Sequence, residues 1–289
     1  GTNVGTVSNT YAAGNVTGTS TGNVTNNYGG FAGYNTGTIT NSFWDAITTG
    51  TSTGIGGGTT TGATGLTTAG MMDSTNFSGW TFGTAPSTGD WFLITGNTRP
   101  FLQMEYSTNI TNAHQLQLMA MNLSANYTLG SDIDMSELTN PSGMWGTQNA
   151  TYLTGITTGF FSIGDASTPF TGKFEGLGHT ITDLYINKPS QNYVGLFGYI
   201  VSGSTVSNVG LEGGSVSGNS VVAGLVGYNS GTVENSYATS SVIGNYNSGG
   251  LVGFNDRNVE NSYATGSVTG GSYIGGLVGY NYGSLINTY

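Results

Sequence analysis

"GGLVGFNDRNVENSY", residues 249–263, is a near copy of "AGLVGYNSGTVENSY" at 223–237 and of "GGLVGYNYGSLINTY" at 275–289. The shorter element "GL[VF]G" stands at Gly195, Gly224, Gly250 and Gly276, spaced by 29, 26 and 26 residues. A variant, "GGFAGYNTGTITNSF", starts at Gly29, and "GTVSNTYAAGNVTG" from Gly5 matches "GTVENSYATSSVIG" from Gly231. A fixed period of this length marks a solenoid, a propeller or an array.

Within one repeat the apolar residues alternate with period two rather than 3.6. In "TVENSYA" from Thr232, Val233, Asn235 and Tyr237 fall on one face, and Glu234 and Ser236 on the other. "GLVGYN" reads as a second strand and "SVTG" or "SVIG" as a third. Three strands of about 4–7 residues, at about 3.3 Å per residue, fill one coil of a three-sided parallel β-solenoid with coils about 4.8 Å apart. A four-stranded propeller blade needs about 40 residues, and a β-sandwich needs no fixed period. The fold class is therefore all-β, a parallel β-helix with coils of about 26 residues. Gly is expected at corners that require φ > 0, with "YN-x-G" supplying Asn and Gly at one corner. Asn235, Asn261 and Asn287 recur in phase and are expected to stack as an amide ladder.

Gly makes up 51 of 289 residues and charged residues only 6%, a composition that disordered chains share. Aromatic residues at 11%, with 17 Tyr, argue instead for ordered short strands joined by Gly/Asn turns. The net charge is −10, and Lys173, Lys188, Arg99 and Arg257 are the only bases. Four scattered bases exclude phosphate-based nucleic-acid binding and attraction to anionic lipid. Cysteine is absent, which rules out disulfides and cysteine metal sites and suits an exported protein. No apolar run approaches the roughly 20 residues of a membrane helix, so membrane insertion is not expected. There is neither a signal peptide nor an initiating Met, so the chain is expected to be a mature or excised piece of something longer.

The consensus "GGLVGYN-x-G-x-[VIL]-x-N-[ST]-Y-A-T-G-x-V" resembles the GLUG motif of large bacterial secreted proteins. That motif is common in filamentous-haemagglutinin-like adhesins and in some IgA-peptidase-like passengers. "NSFWD" at Asn41, "GLTTAGMM" at Gly65, "FSGWTF" at Phe77 and "RPFLQ" at Arg99 look like a connector closing one GLUG array. "ITNAHQLQLMAMNLSANYTLGSDIDMS" at Ile110 and "PFTGKFEGLGHTITDLYI" at Pro169 look like the opening of the next. The resemblance implies a right-handed β-helix, secreted or on the cell surface, and carries no catalytic residues.

On this reading residues 1–45 end a first GLUG-type array and 46–108 form a connector. The connector begins with the Gly/Thr-rich "TTGTSTGIGGGTTTGATG", read as a mobile loop. Trp80, Trp91, Phe92, Phe101 and Leu102 are expected to form a small apolar patch there. Residues 109–289 form the second solenoid, with GLUG coils at 195–289 and a loop excursion at 140–168. One short helix near 111–122, capped by Thr111, is expected to cover its first edge.

Candidate chemistry is sparse. Asp132 and Asp134 at i, i+2 could bind Ca²⁺ or act as acid and base, but no Ca²⁺ signature follows and turn capping is the plainer role. His179, Lys173 and Asp183 could meet on one face as in β-helix polysaccharide lyases, yet four bases in the chain do not supply that chemistry. His114 reads as structural. "GTSTGIGGG" has the Gly density of a phosphate loop without its Lys or strand–loop–helix setting. Thr ladders of the ice-binding kind need Thr in one register, whereas Thr232 aligns with Asn258 and Ser284. N-x-[ST] triplets, as at Asn15, Asn76, Asn122 and Asn126, arise by chance in such a composition. No catalytic residue, metal site or cofactor is assigned.

The function expected is that of a structural, adhesive rod segment of a secreted or cell-surface fibrous protein, not an enzyme. Its partners would be surface glycans or proteins of a host or neighbouring cell, or further copies of itself stacked end to end through the open last coil into a filament. The alternative is a carbohydrate-binding β-helix module. Tyr228, Phe254 and Tyr280, which share one column, are the candidate ligand or subunit contacts.

Overall fold

The computed structural model describes residues 1–18, 27–145 and 158–289. The chain divides into two compact units, one of residues 1–103 with 140–150, the other of 104–139 with 151–289. The described residues are mostly short strands with one α-helix, and nearly all strand pairs are parallel.

In the second unit, strands recur along the chain and each pairs with its counterpart one repeat later. One parallel sheet runs Asn109–Ile110, Tyr127–Leu129, Lys173–Glu175, Thr205–Ser207, Thr232–Glu234, Asn258–Glu260, Ser284–Ile286. A second holds Ile133–Asp134, Thr180–Thr182, Gly210–Glu212, Tyr237–Ala238 and Tyr263–Ala264, and a third Phe197–Ile200, Val226–Asn229, Val252–Asn255 and Val278–Asn281. A fourth contains Tyr185–Asn187, Ser215–Ser217, Ser241–Gly249 and Val268–Gly275; its one antiparallel pair is Thr158–Gly159 with Tyr185–Asn187. Register is kept residue for residue, as in Thr232 to Asn258 to Ser284.

The period-two pattern explains the core. Phe174, Val206, Val233 and Val259 stack in register on the inner face of the first sheet, each fully buried. Each buried Val or Leu contributes about 1.5–3 kcal/mol, while ordering backbone costs about 1–2 kcal/mol per residue. A single coil therefore depends on its neighbours for stability.

The strand count per repeat differs from the sequence expectation. "TVENSYA" is not one strand: Thr232–Glu234 and Tyr237–Ala238 belong to different sheets, so four strands rather than three make one repeat. The break falls at Asn235, whose φ is +50°, with Asn208, Asn261 and Asn287 at +54°, +48° and +52° in the same place. Asn tolerates the left-handed region better than other side-chain-bearing residues. It turns the corner here, so Asn235 and Tyr237 do not share a strand face.

The glycines of "GL[VF]G" serve a different purpose from the one expected. None of them has positive φ. At several of them backbones crowd instead: a Cβ on Gly227 would lie 2.6 Å from the Gly198 carbonyl oxygen, and one on Gly253 2.8 Å from that of Gly227. The "YN-x-G" asparagines are not positive-φ corners either. Asn229 and Asn255 are fully buried; Asn229 Nδ2 donates to Asn255 Oδ1 at 2.7 Å and Asn255 Nδ2 to Asn281 Oδ1 at 2.8 Å. Asn229 Oδ1 also accepts from Gly231 N at 2.9 Å, which fixes the turn. Of the ladder expected over Asn235, Asn261 and Asn287, one rung is seen, Asn287 Nδ2 donating to Asn261 Oδ1 at 3.0 Å.

The helix, α1, is Ala113–Leu118, continued by a 3-10 turn at Met119–Met121. It is shorter than 111–122, and Asn112 rather than Thr111 caps it, with Oδ1 accepting from Gln115 N at 2.9 Å. Thr111 instead donates from N and Oγ1 to Gln115 Oε1. Asn122 ends the segment because its Oδ1 accepts from Ser124 N, a turn incompatible with further helix.

The first unit repeats the same devices. Thr6–Ser8 pairs parallel with Thr38–Thr40, and Tyr11–Ala12 with Ser42–Asp45. Asn9 and Asn41 turn its corners at +52° and +44°, and Asn3 Nδ2 donates to Asn35 Oδ1 at 2.9 Å. The Gly/Thr-rich stretch is not a loose linker. Ile55 is buried and bridges to Ala32, Gly58 bridges to Asn35, and Ala63–Leu66 pairs parallel with Ser42–Asp45. Glycine is required there because the Trp44 indole fills the space a side chain would take at Gly54 and Gly65, 2.3 and 2.7 Å from a built Cβ.

Trp80 and Trp91 stack at 4.1 Å within a core that includes Phe43, Met71 and Phe77. Phe92 and Phe101 are also buried, but Leu102 is exposed and contributes nothing to the expected patch. Residues 140–145 of the expected excursion group with this unit; 146–157 lie outside the described residues.

Candidate functional site

The residues proposed from sequence form one aromatic column. Tyr199, Tyr228, Phe254 and Tyr280 occupy equivalent places in the third sheet. Their ring centroids are 4.5, 4.8 and 5.0 Å apart and their planes within 5°, 4° and 13° of parallel. That spacing is the strand spacing of a parallel stack, so register alone places ring on ring. The consequence is chemical: within the stack the faces are covered by one another, and between its ends the column offers edges and hydroxyls to solvent. Burial, followed by the Asp256 charge, pushes the Tyr228 hydroxyl above its ordinary pKa.

Tyr193 flanks the column without joining the stack. Its ring stands tilted to Tyr199 at 5.8 Å and edge-on to Tyr228 at 6.2 Å. It also lines a groove of about 240 Å³ with Phe161, Ser162, Asp165, Gln191 and Asn192. Tyr273 stands edge-on to Tyr280 in the same manner at the other end.

A second column was not singled out from the sequence. Tyr237, Tyr263 and Tyr289 stack at 5.0 and 5.0 Å, each pair within 3° of parallel. The Tyr237 hydroxyl donates to Glu212 at 2.5 Å, and that bond pushes its pKa up to about 12. The signal was the recurrent Tyr of "N-[ST]-Y", masked by the assumption that it continued the Val233 strand.

The titratable candidates serve local structure. Asp132 accepts from Thr180 N at 2.9 Å and pairs with His179 Nδ1 at 3.1 Å; the Thr180 backbone bond first, then His179, lowers its pKa. Asp134 accepts from Ser136 N at 2.8 Å, which lowers its pKa as well. His179 thus pairs with Asp132, while Lys173 stands in the column of Thr205 and Asp183 turns a corner at φ +58°. His114 sits between Glu105, 2.7 Å from Nδ1, and Glu137, 3.6 Å from Nε2. Burial opposes its charge, but the two carboxylates outweigh it and raise its pKa to about 9.

Two of the four bases are interior. Arg99 and Asp45 form a fully buried pair at 2.7 Å, and Asp45 Oδ1 also accepts from Ile47 N, Thr48 N and Thr68 Oγ1. Lys188 is buried with Nζ 5.4 Å from the Phe161 ring centroid, and burial lowers its pKa to about 8. Among the described residues no three His, Asp or Glu gather as a metal site, and no helix is long and apolar enough to cross a membrane. Of the N-x-[ST] asparagines, Asn126 Oδ1 accepts from Lys173 N and Asn76 Nδ2 donates to Gly70 O.

This architecture of stacked Gly-, Asn- and Tyr-bearing repeats carries two copies of the GLUG motif, matched by the family model at residues 218–243 and 244–269. Among curated proteins, halomucin of Haloquadratum walsbyi is 36% identical over 84 residues, 29% of this chain but 1% of halomucin. A protein named as a Gly-rich membrane protein in Evansella cellulosilytica is 32% identical over 112 residues, 38% of this chain and 11% of that protein. No solved structure matches the chain. The chain thus shares the GLUG repeat with its family model and spans only a small part of the length of both curated relatives.

Proposed function

We propose that the chain is a right-handed parallel β-helix serving as a structural and adhesive rod segment of a secreted or cell-surface fibrous protein. The observation that carries this reading is the unbroken register from Thr205 through Thr232 and Asn258 to Ser284, reinforced by a buried Asn ladder and two aromatic ladders. Such stacking transmits load along the coil axis through backbone bonds and gives each coil the same outward face. The acids and histidines are engaged in turns and local pairs, which favours a non-enzymatic role. Its partners on this reading are glycans or proteins of another cell surface, or copies of itself stacked end to end.

Attachment of coated beads tests it. Beads carrying the folded chain are expected to hold to cell surfaces under flow that removes albumin-coated beads. Equal detachment of both would refute the adhesive half. A carbohydrate-binding module is the second reading, favoured by the polar groove beside Tyr193 rather than by the column of Tyr228, Phe254 and Tyr280, whose rings stack face to face on one another.

A further inference from the structure

The geometry points to a binding pocket for one neutral sugar ring of a glycan, built from Tyr193, Asp165, Gln191 and Asn192. The inference deepens the adhesive reading above and rests on it. The groove lies where the aromatic column begins: Ile163 bridges to Phe197, two residues before Tyr199, and Asp165 follows Ile163 by two. Its volume, about 240 Å³, is smaller than the roughly 300–1,000 Å³ of drug-sized sites and suits a single ring.

The lining supplies what a polyhydroxylated ring requires. Tyr193 is the aromatic of this patch left out of the parallel stack, held tilted by Tyr199 and edge-on by Tyr228. Asp165 Oδ1 is occupied by Ser167 N, Thr168 N and Thr168 Oγ1, which fix the carboxylate. Among the described residues nothing hydrogen-bonds to Asp165 Oδ2, leaving it to accept from sugar hydroxyls. Asn192 Oδ1 accepts from Asn219 Nδ2, which orients the amide and leaves its Nδ2 as a donor. The Gln191 carboxamide adds both a donor and an acceptor. Neither exposed base, Lys173 or Arg257, lines the groove, and the nearby Lys188 is buried against the Phe161 ring rather than lining it, so the groove wall itself presents no cationic side chain. An aromatic ring outside the stack, amide donors and one carboxylate in one lining favour a neutral hydroxylated ring over a phosphate, a sialic acid or an apolar ligand.

Saturation-transfer NMR on the full chain, with the methyl glycosides of glucose, galactose, mannose and N-acetylglucosamine as probes, tests the pocket. At least one is expected to receive saturation, with a Kd in the millimolar range typical of one small polar ring. Y193N removes the ring without backbone strain, since Asn247 takes the equivalent place with φ +48° against +60° for Tyr193. D165N keeps the Oδ1 cap and replaces the free acceptor with a donor. Both variants are expected to weaken the signal at least tenfold, while Y246N, on an exposed residue outside the groove, leaves it unchanged. Absence of transfer to every probe from the native chain, or transfer undiminished in Y193N and D165N, overturns the pocket. Beads that still attach when no sugar binds leave the adhesive reading standing; beads that detach while sugar binding persists refute that reading and spare the pocket.

Discussion

The first glycine of "GL[VF]G" occupies one structural position in four successive coils, and the space around it differs from coil to coil. A Cβ built on Gly250 would lie 2.2 Å from the Gly276 carbonyl oxygen and 2.8 Å from Ala264 Cβ. On Gly224 it would meet the Gly250 carbonyl oxygen at 2.8 Å, on Gly195 the Phe197 carbonyl oxygen at 3.0 Å, and on Gly276 nothing within 4 Å. None of the four has positive φ, so alanine can adopt each backbone conformation. The substitution then has two opposing parts. Restricting the unfolded chain stabilises by about 0.4–1 kcal/mol, and overpacking against a fixed carbonyl costs about 1–3 kcal/mol. G276A is expected to be neutral or stabilising, G195A and G224A intermediate, and G250A destabilising. The spread between G276A and G250A should be roughly 2 kcal/mol or more, about 4–8 °C in Tm for a unit of this size. Urea unfolding followed by circular dichroism reads the midpoints, with an unchanged m-value certifying that only stability moved. Equal midpoints for G250A and G276A would refute close backbone approach as the reason for the glycine.

Three further outcomes follow from the same packing. N255A, which removes a fully buried amide and breaks the side-chain ladder to Asn229 and Asn281, should cost about 1–3 kcal/mol, and N281A, whose side chain is exposed, under about 0.5 kcal/mol by urea melts. D45N should cost about 3–5 kcal/mol by stranding the buried Arg99 charge, read by fluorescence of Trp44, Trp80 and Trp91, and adding R99M should recover part of the loss. His114 titrates at about 9 in the fold against 6.5 unfolded, so its stabilisation is complete below pH 6.5, fades between 6.5 and 9 and is absent above. The wild-type-minus-H114Q difference in stability should therefore fall across that window, while the opposite trend from Lys188, lowered to about 8, cancels in the difference; a flat difference would refute the clamp of His114 by Glu105 and Glu137.

The sequence was most legible where it repeated. A period of 26 residues with alternating Val predicted parallel stacking, and the Thr232, Asn258, Ser284 register follows it. It was least legible at corners. Asn235 and Tyr237 share parity with Val233, so a strand read by alternation runs straight through a residue that the backbone uses to turn at φ +50°. Gly allows two explanations, positive φ or absent Cβ, and only coordinates distinguish them; in "GL[VF]G" the second holds. "TTGTSTGIGGGTTTGATG" carries linker composition, yet Trp44, lying outside that window, is what crowds two of its glycines, Gly54 and Gly65. The candidate column of Tyr228, Phe254 and Tyr280 was readable from spacing, but the relative tilt of the rings was not, and tilt decides whether a ring face is free.

Charge placement connects the fold with the ligand it can meet. Of the fourteen acids only Asp45 is buried, whereas two of the four bases, Arg99 and Lys188, are interior. The solvent therefore faces thirteen carboxylates and two cations, Lys173 and Arg257. A stack of half-buried Tyr columns and small polar side chains invites lateral association between copies, as flat β surfaces do. A surface of one sign opposes that association at the range of a Debye length, about 8 Å in physiological salt. The same field disfavours sialylated or sulfated chains at any site on the molecule. A neutral sugar is the surface ligand it penalises least, and the Tyr193 groove offers neutral amides and one anchored carboxylate. Acidity thus acts as a filter on partners as well as a guard against aggregation, and both effects should weaken together as salt is raised.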